Sequence, residues 1–138
     1  MALTAKEVQG HFYNMLRQSP LAAEISGGVY RAGFRPRDSR LEDAVVIFTA
    51  GLPDQIESGS VTINVYVADI DPDRDGTWVE NGARTAAIER MAADWAGSLT
   101  AAGSGFKTSL MQAVHTQQEP QTRQHFVVVR LAYEYFDQ

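Results

Sequence analysis

The sequence predicts a single α+β domain over residues 1–138: an antiparallel sheet built from two β-hairpins, at about 43–69 and 106–136, with an N-terminal helix and a covering helix at about 81–101. Three observations predict it. The runs DAVVIFTA (43–50) and SVTINVYVAD (60–69) are rich in β-branched residues and are joined by a turn segment of Gly, Pro, Asp and Ser. The final run QHFVVVRLAYEYF (124–136) is long and apolar on both faces in its middle, so it needs strands on its edges and cover on its faces. Two further segments, one before Ser19-Pro20 and one at 81–101, repeat apolar residues at helical intervals.

Each element has a local reason. Thr4 followed by Glu7 has the spacing of a capping box, and Val8, Phe12, Met15 and Leu16 then share one helical face. Gly10 weakens that helix by about 1 kcal/mol relative to Ala, so packing has to hold it. Ser19-Pro20 stops it. After a short piece at 21–25, Gly27-Gly28 breaks the chain, and an extended segment runs from Val29 to Arg35-Pro36, where the proline bars Arg35 from helical backbone. In the second strand of the middle hairpin, Val61, Ile63, Val65 and Val67 share one face, and Thr62, Asn64, Tyr66 and Ala68 the other. An acidic stretch at 69–76 leads to the covering helix, whose stripe is Ile88, Met91, Ala92, Trp95 and Leu99, with a Gly-rich stop at 101–105. Residues 106–118 read as one strand and 119–122 as a turn. On the last strand, His125, Val127, Val129, Leu131, Tyr133 and Tyr135 form one row, and Phe126, Val128, Arg130, Ala132, Glu134 and Phe136 the other.

At 138 residues, folding removes about two-thirds of the unfolded surface from water, enough for one core without covalent staples. The absence of cysteine excludes disulfides and thiolate metal sites and fits a reducing compartment. The amino terminus lacks the basic start and apolar run of a signal peptide, and no segment approaches the roughly 20 apolar residues of a membrane span. A soluble, unexported product is expected. The net charge of −5 argues against non-specific attraction to nucleic acid by the whole-molecule field.

Few residues carry a chemical signature. Asp71-x-Asp73-x-Asp75-Gly76 matches the first half of a calcium loop, but the twelfth position is Gly82 where a bidentate Glu belongs, and Pro72 interrupts the loop. His11, His115 and His125 are too scattered for a shared zinc site. No nucleophile, base and orienting acid are marked out, and no glycine cluster has the lysine of a phosphate-binding loop. The expectation is no catalytic residue, no metal and no cofactor. Arg31, Arg35, Arg37 and Arg40 form a basic segment, suited to phosphate oxygens, to acids of a neighbouring chain, or to local ion pairs in a solvated loop.

The runs GGVYRAGFRPRDSRLEDAVVIFTAG and IESGSVTINVYVADI, followed by a helix and by QHFVVVRLAYEY, together resemble the small neck and tail-completion proteins of tailed bacteriophages and prophages, which include tail-terminator and head-to-tail joining proteins. That resemblance implies a compact, non-enzymatic α+β subunit of the virion, assembled in the host cytoplasm as a homo-oligomeric ring. Its partners would be other neck or tail-tube proteins, with DNA passing through the ring without specific recognition and no membrane involved. Within such a ring, Arg31, Arg35, Arg37 and Arg40 of one subunit are expected to face Asp71, Asp73 and Asp75 of the next, a head-to-tail contact between opposite charges. A competing expectation is a cone-shaped ligand-binding or enzymatic domain, with an internal pocket lined by Tyr66, Trp78, Trp95 and Tyr133.

Overall fold

The computed structural model describes residues 3–52, 57–100 and 105–135. Its elements run α1 (Ala5–Arg17), α2 (Pro20–Glu24), β1 (Val29–Arg31), β2 (Ala44–Leu52), β3 (Glu57–Ala68), α3 (Gly82–Ser98), β4 (Phe106–Leu110), β5 (His115–Glu119) and β6 (Gln124–Tyr135). The expected α+β class is what the chain adopts.

The capping box forms: Thr4 Oγ1 accepts from the Glu7 N–H at 3.2 Å, and Glu7 Oε1 accepts from the Thr4 N–H at 3.0 Å. The second bond holds the Glu7 carboxyl below its ordinary value. Pro20 ends α1 and also opens α2. Ser19 donates its hydroxyl to the Leu16 carbonyl and accepts from the Ala22 N–H, while the proline sits at a first-turn position where its missing N–H costs nothing.

The strands form one sheet in the order β1-β2-β3-β6, with β4 and β5 sharing the outer edge of β6. Both expected hairpin pairings are present, and β3 and β6 lie antiparallel at the centre. Two expectations need correction. The segment from Val29 stops being a strand after Arg31 and pairs parallel to β2, so the sheet is mixed. The Ala32 N–H bonds to the Val46 carbonyl, and Gly33 then turns the chain at φ 90°, a left-handed value open to glycine. The single strand expected over 106–118 is two strands. Leu110 pairs with Leu131 and His115 with Val128, so five steps along the edge oppose three along β6, and the surplus is expelled as a bulge. The covering helix ends at Ser98, and the expected stop at 101–104, the hairpin tip at 53–56 and Phe136 lie outside the described residues.

Register decides the core. Ala44, Val65 and Val127 align across three strands, as do Val46, Ile63 and Val129, and the helices cover that face with Phe12, Leu16, Leu21, Ile88, Ala92 and Trp95. At one end Phe12, Phe106 and Tyr133 form an aromatic cluster with ring centroids 4.9–5.9 Å apart. Gln9, on the buried side of α1, donates to the Val46 carbonyl at 3.0 Å and fixes the helix to β2. Glu42 and Arg84 form a two-point ion pair, with N···O distances of 2.6 and 2.9 Å, that ties α3 to the approach to β2. The arginine outweighs burial in holding the Glu42 carboxyl below its usual range.

Candidate contact end and open sheet face

The loop from Ala32 to Asp43 is organised by one buried carboxylate. Asp43 is 1% exposed; it accepts from Arg35 Nε at 2.8 Å, from the Ser39 hydroxyl and from the Gly28 N–H at 3.0 Å. Burial pushes this carboxyl up, and the three donors together more than offset it, so its pKa is lowered. Gly27 is required beside it: a Cβ there would run into the Asp43 carboxylate and lie 2.7 Å from the Glu42 carbonyl oxygen.

The four arginines of the basic segment have different roles. Arg35 is committed within its own chain: beyond Asp43 it donates to Gln124 Oε1 at 2.9 Å and lies 4.0 Å over the Tyr66 ring. Arg31 stacks on Tyr13 of α1 at 4.4 Å. Arg40 donates to the carbonyls of Thr122 and Arg123 at 2.7 and 3.1 Å. Arg37 is exposed and makes no hydrogen bond or ion pair among the described residues.

The acidic stretch is a closed turn. An isolated antiparallel bridge joins Ile70 to Val79, Asp71 accepts from the N–H groups of Asp75 and Gly76, and Asp75 accepts from that of Thr77. The Thr77 N–H holds the Asp75 carboxyl below its usual range. Gly76 turns the chain at φ 84°. Two of the three aspartates therefore cap backbone, and no group of three or more potential metal ligands is found among the described residues. Arg40 and Arg123 both approach the Trp78 ring, at 6.0 and 4.9 Å, so the basic segment and the acidic turn are neighbours within one chain.

Sequence reasoning missed the polar cluster at the base of that turn. His125 Nδ1 lies 2.6 Å from Asp69 Oδ1, its Nε2 lies 3.7 Å from Glu80 Oε1, and Glu80 accepts from the Thr85 hydroxyl. The two carboxylates stand at either end of the excursion, and the imidazole bridges them. The only sequence signal is indirect: His125 pairs with Val67, two residues before Asp69, and that register is a tertiary fact. An imidazole oriented by a carboxylate is half of a nucleophile-activating arrangement, but among the described residues no hydroxyl is bonded to the ring.

The second face of the sheet carries no described helix. Val45 and Val128 are buried there yet stand outside the core cluster, beside Ile47, Thr62, Asn64, Tyr66, Arg130 and Ala132. Asn64 Oδ1 and Arg130 Nε are buried without a hydrogen-bond partner. The aromatic residues of the competing pocket are dispersed: Trp95 and Tyr133 belong to the helix-covered core, Tyr66 faces the other way, and Trp78 is exposed on the acidic turn. Comparison of the sequence with models of protein families and with curated proteins finds no match in either case.

Proposed function

We propose that this chain is a structural subunit of the head-tail neck or tail end of a tailed phage or prophage, acting through contacts with its own copies in a ring and with neighbouring neck or tail-tube proteins, without catalysis. The observation that carries this reading is the open sheet face. Ile47, Tyr66, Phe126 and Ala132 remain only half-buried on that face, and a docked subunit would take this apolar strip out of water. Glu134, exposed on the same face, offers a carboxylate to an arginine of another copy. The loops beside that face add exposed Phe34 and Leu41, and the acidic turn adds Ile70, Trp78 and Val79, an apolar display typical of contact surfaces.

Within this reading the charged contact is narrower than the full basic segment. Arg35 is already paired, and Arg37 and Asp73 are the members of the two segments with no hydrogen bond or ring contact among the described residues. The test is Ala132→Arg, on the open face of β6 between Ser60 and Ser109. Sedimentation across a concentration series, alone and with assembled tail tubes, is expected to show association by the wild-type chain and none by the variant, at equal thermal stability. A wild-type chain that binds neither itself nor tubes, or a variant that associates equally well, would overturn the proposal.

A further inference from the structure

A cleft of about 450 Å³ opens between the 32–43 loop and the turn before β6, with Arg37, Asp38 and Arg40 on one side and Thr122 and Arg123 on the other. Three arginines line it against one aspartate, in a chain whose net charge is −5. Their donors are available in different degrees. Arg37 is uncommitted among the described residues. Arg40 is anchored by two bonds to backbone carbonyls, which orient its fork and leave further N–H groups free. The Arg123 guanidinium lies over the Trp78 ring at 4.9 Å, and its N–H donors make no hydrogen bond among the described residues.

The backbone at Arg123 is unusual as well. Arg123 sits at φ 55°, in the left-handed region where glycine or asparagine is the less strained choice. Arg74 in the acidic turn shares this conformation, but Arg123 is the one of the two that also lines the cleft. From the cleft, its charge and this outlier together, we infer that Arg37, Arg40 and Arg123 form a binding site for a phosphate-bearing anion. Planar guanidinium forks match phosphate oxygens bidentately, and a site on three of them is selective for a group with several acceptor oxygens.

The site does not depend on the assembly reading, and an isolated chain suffices to test it. Two probes separate the sources of the phosphate: inorganic phosphate followed by titration calorimetry, and a fluorescently labelled DNA duplex followed by anisotropy over a salt series. The variants are Arg37→Gln, at an exposed position, and Arg123→Gly, which relieves the left-handed strain and so preserves the turn. Saturable heat from phosphate that weakens about tenfold in the double variant marks a free-anion site. Duplex binding without phosphate heat, whose salt slope falls by about 1 for each arginine removed, marks a backbone site. The inference is overturned if neither probe binds, or if the double variant binds both as the wild type does.

Discussion

Asp43 is the position where a one-atom change should cost most. Asp43→Asn keeps the shape but removes the charge that balances Arg35, whose side chain is 16% exposed against 1% for the aspartate. Three donors converge on this carboxylate, from Arg35, Ser39 and the Gly28 backbone, and an amide cannot accept from all of them equally well. Breaking one side of a buried pair costs about 3–5 kcal/mol. Partial access of Arg35 to water and its retained bonds to Gln124 and the Leu41 carbonyl reduce this to about 2–3 kcal/mol. Since domains of this kind have about 5–15 kcal/mol in total, the midpoint of urea unfolding should move well outside error. The effect must also depend on pH. The folded carboxyl has a lowered pKa, so its contribution is complete above the unfolded value of about 3.9 and fades as pH falls below that toward the folded value. The gap between wild type and Asp43→Asn, measured by urea unfolding at a series of pH values, should therefore be full at neutral pH and shrink only in acid. A gap below about 1 kcal/mol at neutral pH, or one that persists undiminished in strong acid, would refute the assignment of Asp43 as the charged organiser of the loop.

Two further changes test the packing. Ile63→Ala, at a fully buried site between Val46 and Val129, should destabilise by about 2–5 kcal/mol without altering the urea m-value, and a loss under about 1 kcal/mol would mean the centre of the sheet is not packed as described. Gly27→Ala places a methyl group against the Asp43 carboxylate and the Glu42 carbonyl, so a loss of about 1–3 kcal/mol is expected, whereas the same change at Gly97, where a Cβ meets nothing within 4 Å, should be neutral or stabilising by differential scanning calorimetry.

What the sequence made legible is what depends on local period. The rows of β3 and β6 were readable because alternation assigns Val61, Ile63, Val65 and Val67 to one face whatever they pair with, and the capping box of α1 was readable because Thr4 and Glu7 are three residues apart. The break between β4 and β5 was hidden because a bulge is defined by the partner strand, and nothing in 111–114 is a strong breaker. The parallel pairing of β1 was hidden for the same reason. Candidate site residues fared according to distance in sequence. Arg35 stood out as one of a basic cluster, yet its partners Asp43 and Gln124 are 8 and 89 positions away, and only the fold turns an apparent surface charge into an internal one.

The contact end is built on three consecutive residues at the entry to β6. Arg123 stacks on Trp78, and its carbonyl accepts from both Arg40 and the Asp69 N–H. Gln124 holds Arg35 of the 32–43 loop, and His125 holds the two carboxylates at the base of the acidic turn. Because successive strand residues point to opposite faces, adjacent positions reach excursions on opposite sides of the sheet, so one rigid strand end fixes both. The central strand pairing of β3 with β6 sets that end, and Tyr66 and Val67 lie directly opposite Phe126 and His125. A one-residue slip of this register would exchange the faces of Gln124 and His125 and detach both excursions at once. The twelve-residue β3–β6 ladder that secures the core is thus also what holds the arginine cleft, the acidic turn and the open face in fixed relation.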